Sequence, residues 1–222
     1  MSNKDYDSFE GYEEDMIEDD VNVVVEHIEK YLGCIDSSIN EIVPGSKVSI
    51  GINIINPSKE RNYFTLVTTG MCEYPMGFSA EDNEYKYAEL LIKLPANWKL
   101  DKESCKDEEN YWPIKMLRLI GHLPHIYEGI VNEEVIIPNG QPGGSVIPFK
   151  NGTELSRIMI CVSEDIQPYV FDDGAKIDFY TLVPITDLEE ELVRKNGSDA
   201  VMHMLKSKDI VDLGREYLEW EN

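Results

Sequence analysis

KVSIGINIINPSKERNYFTLVTTGM, residues 47–71, decides the fold class. In its first ten residues Val48, Ile50, Ile52 and Ile54 fall on one side of an extended chain, and Lys47, Ser49, Gly51 and Asn53 on the other. A period of two is that of a half-buried strand. The polar PSKERN turn then leads into a second strand, Tyr63 to Met71. Ala88, Leu90, Ile92 and Leu94 alternate once more, and Pro95, which has no N–H to give a ladder, takes the chain out of the strand.

Helical periods flank this block. Upstream, Val21, Val24, Val25, Ile28 and Leu32 recur at helical spacing between an acidic cap at Asp19 or Asp20 and a stop at Gly33. Downstream, residues 99–110 read as a charged loop and Trp112-Pro113 as the opening of a second helix. That helix turns Ile114, Leu117 and Ile120 inward and Lys115 and Arg118 outward, and Pro124 ends or kinks it. Gly129 to Gly152 reads as loop with short strands. RIMICV, 157–162, is apolar on both faces and so a candidate for a central strand; IDFYTLVPI, 177–185, is another strand. Thr186 and Glu189 fit a capping box for a helix ending at Gly197, with a last helix over 198–206. Strands and helices fall in blocks, which predicts a single α+β domain with a mixed β-sheet packed against helices. Its expected bounds are 21–210, after an acidic flexible tail at 1–20 and before a C-terminal tail at 211–222.

At 222 residues and 42% hydrophobic content the chain can bury a real core, which excludes a disordered protein. No run approaches a membrane span and the first residues hold no apolar signal core, so a cytoplasmic location is expected. Forty-three acidic against 20 basic residues, a net charge of −23, argues against direct nucleic-acid binding and suits a basic partner. Residues 1–20 alone carry −8, interrupted by Tyr6, Phe9 and Tyr12. Cys34, Cys72, Cys105 and Cys161 form no CxxC pair, so they read as ordinary, mostly buried thiols of a reducing compartment.

The sequence holds no recognisable catalytic constellation. Ser79, in GFSAE, lacks the second glycine of a nucleophile elbow. Gly140, Gly143 and Gly144 are interrupted by Pro142 and precede a β-like stretch, unlike a phosphate-cradling loop. His122 and His125 form an HxxH without the glutamate of a metalloprotease helix and with Pro124 inside it, so a structural role at the helix end is expected for His125. No enzyme activity, cofactor or metal is expected.

Five phrases, in order, carry a family resemblance. YFTLVTTGMCEYPM (63–76), LLIKLPANW (90–98), YWPIKMLRLIGHLPH (111–125), IIPNG (136–140) and IDFYTLVPI (177–185) together resemble the bacterial suppressor-of-fused-like domain family over about residues 45–205. The stretch between His125 and Ile136 departs from the family pattern, lacking the Gly-His before Ile-Pro-Asn-Gly, and the first 20 residues and LGREYLEWEN match nothing in it.

The resemblance implies a binding module. The animal relative restrains a transcription factor by gripping an extended peptide and has a second domain. Bacterial relatives resemble immunity proteins encoded beside polymorphic toxins. The expected function is therefore a non-enzymatic immunity protein, or antitoxin, whose acidic surface occludes the basic cleft of a cognate toxin, a nuclease by preference. The alternative is a regulatory module that takes a peptide or transcription factor by β-strand addition. Exposed, family-atypical loops place the expected partner contacts at Glu73, Tyr74, Glu128, Asn132, Glu133 and Glu134.

Overall fold

The computed structural model describes residues 14–77, 87–133, 135–141, 143–205 and 209–215. Its strands are β1 (Ser37–Ile39), β2 (Gly51–Ile55), β3 (Tyr63–Thr69), β4 (Tyr87–Pro95), β5 (Ile136–Pro138), β6 (Arg157–Val162), β7 (Tyr169–Val170) and β8 (Lys176–Ile185). They form one sheet in the order β1-β2-β3-β4-β8-β6-β5, with β7 also paired to β8. Every pairing is antiparallel except β4 with β8, which are parallel. A parallel pair needs a long crossover, and that connection carries the helix α2 (Glu108–Tyr127).

Helices cover both faces. On one, Ile114, Leu117 and Ile120 of α2 pack with Ile50, Ile52, Leu66, Leu90, Ile92, Ile160 and Leu182. On the other, α1 (Glu14–Leu32) sets Val24, Ile28 and Leu32 against Ile55, Val67, Leu91 and Phe179. Beside it α3 (Asp187–Asn196) and α4 (Ser198–Met204) bring Val193 and Val201 onto Met159, Cys161, Val183 and Ile185. The result is a mixed α+β domain of helix, sheet and helix layers.

This second layer overturns the half-buried reading of β2 and β4. Asn53 is buried, its Oδ1 accepting from Ser38 Oγ at 2.7 Å and its Nδ2 donating to Thr69 Oγ1 at 3.1 Å. Glu89 and Lys93, on the polar side of the β4 alternation, are buried too. Strand β6 is not central. It lies next to the edge, and both its faces are apolar because α2 covers one while α3 and α4 cover the other.

Three helix boundaries also differ from expectation. The first helix begins at Glu14, ahead of the cap expected at Asp19 or Asp20. The second begins within the expected charged loop, because Asp107 accepts from Glu109 N at 3.0 Å and Glu108 and Glu109 sit at the positive dipole end. Pro113 and Pro124 are thus both inside α2, which closes at Glu128 in the left-handed region (φ 53°). Arg118 is half-buried rather than outward, donating to Ile39 O at 3.0 Å. The capping box forms as read: Glu189 N donates to Thr186 Oγ1 at 3.2 Å and Thr186 N to Glu189 Oε2 at 2.9 Å. The last helix is shorter than read, ending at Met204. Of the four thiols only Cys161 is fully buried, and Cys34 is exposed.

The expected domain end at residue 210 falls within a packed segment. Lys93 Nζ pairs with Asp209 at 2.9 Å and with Asp165, and Val211 N donates to Lys93 O at 2.9 Å. Arg215 then grips Glu189 through Nη1 (2.5 Å) and Nη2 (2.7 Å) and reaches Pro184 O at 3.0 Å. Two largely buried ion pairs therefore strap residues 209–215 onto the end of the sheet.

Candidate functional site

The sheet is left open at one edge by the shortness of β5. Ser163 N donates to Phe179 O at 2.9 Å, so by antiparallel alternation Cys161 and Met159 also direct their main-chain groups at β8. Ile158, Ile160 and Val162 direct theirs the other way. Strand β5 meets this second set only at Ile158, opposite Ile137, and the ladder ends where Ile136 faces Met159. Upstream of Ile136 the chain turns back on itself, with Val135 N donating to Asn132 O at 3.1 Å. Among the described residues no strand pairs with Ile160 or Val162 on that side; Ile160 is nonetheless wholly buried, and only Val162, 57% exposed, is open.

A hollow lies on each face of the sheet at this edge, because Ile136 and Ile137 point to opposite sides of the pleat. On the α2 face, a groove of about 250 Å³ runs between Leu119 and Leu123 and the 137–146 loop, lined by Ile137, Pro138 and Val146. On the other face, a cavity of about 500 Å³ opens between Ile136 and Val193, with Glu133, Arg194, Asn196, Ser198 and Asp199 around it. One hollow is mostly apolar and the other carries carboxylates.

The field at the edge is negative. Burial first, and then the charges of Asp199, Asp209, Glu133 and Glu164, push the Cys161 thiol up to about 12. Among the described residues that line the larger cavity the one cation, Arg194, is engaged by Glu190 through Nε (2.9 Å) and Nη2 (2.6 Å). Glu133 Oε2 is buried and has no hydrogen-bond partner among the described residues.

The five expected contact residues that fall among the described residues divide between two places. Tyr74 and Glu128 gather at the end of α2 around Lys47, whose Nζ lies 4.9 Å above the Tyr74 ring and 4.0 Å from Glu128 Oε1. Glu73 adjoins Tyr74, and partial burial raises its carboxyl above the ordinary range. Asn132 and Glu133 lie on the loop leading to β5, and of the two Glu133 lines the larger cavity. Glu134 falls outside the described residues. Val162, Ser198 and Asp199 had no mark in the sequence as site residues, since only pairing and packing bring the start of α4 beside β6.

The HxxH histidines face different partners. His122 Nε2 lies 2.8 Å from Glu41 Oε1, while His125, buried in the last turn of α2, bonds Met71 O through Nε2 at 3.1 Å. Among the described residues no three histidine, cysteine or carboxylate side chains gather as metal ligands. Nor, among them, is any helix long and apolar enough to cross a membrane.

The sequence profile of the suppressor of fused protein (SUFU) family matches residues 46–216. The chain belongs to the suppressor of fused family. The fold agrees with solved SUFU structures. A SUFU homologue from Neisseria gonorrhoeae FA 1090 superposes with a TM-score of 0.62 at 14% identity, over 92% of this chain and 100% of that one. A chain of the Sufu–Fu complex gives 0.61 at 13% identity, over 89% and 91%. Drosophila Suppressor of Fused gives 0.60 at 13% identity over 88% of this chain, which spans half of the Drosophila one. No curated protein matches by sequence.

Proposed function

We propose that this SUFU-family chain is a non-enzymatic, cytoplasmic binding module that takes an extended segment of a partner protein as an added strand on the open edge of β6. The observation that carries this reading is the edge itself: the exposed end of β6 at Val162, whose outward main-chain groups pair with no strand among the described residues, flanked by a hollow on each face of the sheet. Edge addition draws affinity from main-chain hydrogen bonds and specificity from pockets for alternate side chains, and both kinds of element are present here. Membership of the SUFU family, and the likeness to a chain held in the Sufu–Fu complex, support a protein partner. The free thiols suit a reducing compartment.

The charge of −23 favours a second, more specific reading, that the partner is a toxin whose basic nuclease cleft is occluded by this chain as its immunity protein. Val162→Pro separates the two. It removes one outward N–H while leaving the bonds of Cys161 and Ser163 to β8 intact, as proline is tolerated on an edge. Partner capture by the tagged chain from host lysate, across a salt series, is the measurement. Loss of a partner in the proline variant, with wild-type circular dichroism, supports strand addition. Capture that survives Val162→Pro but falls steeply with salt refutes strand addition and favours electrostatic occlusion.

A further inference from the structure

The solvent side of α2 carries an apolar projection on one flank and an apolar groove on the other. Arg118 and His122, one turn apart, form one row of the helix, and Leu119 and Leu123 form the next. The first row clamps the loop that follows β1. Glu41 Oε1 lies 2.8 Å from His122 Nε2 and 3.9 Å from Arg118 Nε, its Oε2 accepts from Ile50 N at 3.1 Å, and the Gly45 backbone is pressed against the His122 ring. From this fixed base Ile42 and Val43 stand out, 98% and 81% exposed. The second row lines the groove of about 250 Å³ with Ile137, Pro138 and Val146. Between projection and groove runs the outer ridge of α2, where Ile126 is more than half exposed. Charge on this face is balanced, although the chain as a whole carries −23. Along α2 Glu108 and Glu109 face Lys115 and Lys150, at its end Glu128 faces Lys47, Glu41 faces Arg118 and His122, and the 137–147 loop holds no charge. A basic partner finds little field here to draw it, whereas two copies of one acidic chain repel each other least where charge is already paired.

We infer that this face joins two copies of the chain about a two-fold axis running along α2, with Ile42 and Val43 of each copy seated in the groove of the other. Projection and groove lie at the same height on the helix, one beside residues 118 and 122 and the other beside 119 and 123. A half turn about an axis parallel to α2 therefore sets each over its counterpart. Such a contact is self-complementary and closes at two copies. The loop tip, the ridge and the groove, with the half-exposed Ile147 beside it, approach the roughly 800 Å² that each partner gives to a standard interface. Exposed apolar patches of that extent mark interaction sites. The inference does not depend on strand addition at Val162. The groove also borders that edge, so self-association and partner capture there should compete.

The test is sedimentation equilibrium of the full chain from about 1 to 100 μM, at low and high sodium chloride. The mass should rise from one chain toward two, and the dissociation constant should fall about 10-fold at high salt as the mutual repulsion is screened. The Ile42→Ser, Val43→Ser double variant and, separately, Leu119→Lys should keep the wild-type circular dichroism, since all three side chains are solvent-exposed. Each should weaken association at least about 100-fold, because apolar burial is lost from both copies at once. Mixed in equal amounts, the two variants should associate more tightly than either does alone, since the mixed pair keeps one intact projection in one intact groove. A single-chain mass throughout overturns the inference. So does a dimer that neither variant weakens, which meets elsewhere, or one that loosens with salt, which is held by charge. Mixed variants that associate no better than either alone overturn the two-fold exchange.

Discussion

Glu89 should make this protein less stable as the pH rises toward neutrality. The side chain is wholly buried on β4, facing the α1 side of the sheet. Its Oε2 accepts from Thr68 Oγ1 at 2.5 Å and its Oε1 from Cys72 N at 3.1 Å, while Thr68 Oγ1 accepts in turn from Leu90 N at 2.8 Å. These bonds favour the carboxylate, but burial outweighs them and raises the group from an ordinary 4.5 to about 7. Below pH 4.5 both folded and unfolded chains hold the proton, and this site's contribution to stability is complete. Between 4.5 and 7 the unfolded chain releases the proton and the folded one keeps it, so stability falls with pH. Above 7 the loss levels off. The difference between the two values corresponds to about 3 kcal/mol. Glu89→Gln removes the titration and preserves an acceptor. Set against a lost hydrogen bond of about 1 kcal/mol, the variant should be more stable than wild type by about 2 kcal/mol at pH 8. That advantage should disappear near pH 5. Urea unfolding followed by tryptophan fluorescence at four pH values measures both chains. A difference between them that does not change from pH 5 to pH 8 would refute the reasoning.

Two further outcomes follow from buried charge and from histidine. Arg215→Ala leaves Glu189, wholly buried, without its cation, and should cost about 3–5 kcal/mol in chemical denaturation; a loss below about 1 kcal/mol, the worth of a typical surface ion pair, would mean that residues 209–215 are not strapped to the sheet. His125 should titrate below the ordinary histidine range, because burial lowers it more than the bond to Met71 O raises it. Stability from this group is present above pH 6.5 and declines as the pH falls through the depressed value, since the unfolded chain takes up the proton first. A nuclear magnetic resonance titration showing an ordinary or raised midpoint for His125 would contradict its packing.

Local signals in the sequence were strong wherever one residue type answers one local need. Thr186 and Glu189 are three residues apart and complete each other's hydrogen bonds, so their helix start could be read directly. Gly70 follows β3 at φ 97° with the Ser49 carbonyl pressed where a Cβ would stand, a turn that answers to glycine. The family phrases likewise lie in strands and helix α2, whose residues are held by packing. The expected contact residues were chosen from loops by charge and exposure. That criterion gives no view of β6, because an edge is a property of what a strand lacks on one side.

The sequence by itself determined the α+β class, the strands from β2 onward with alternating or doubly apolar faces, and the family to which the chain belongs. These rest on short-range periodicity and on phrases of adjacent residues. Tertiary structure alone decided that β4 and β8 lie at the centre, that Glu89 and Lys93 are buried, and that residues 209–215 return to the sheet. It also decided where the sheet is open. A strand's alternation reports the contrast between its own two faces. It cannot report a second layer of helices supplied by distant stretches of the chain, nor the absence of a neighbour beyond a three-residue ladder. Both depend on the meeting of distant segments, and that meeting sets the candidate site.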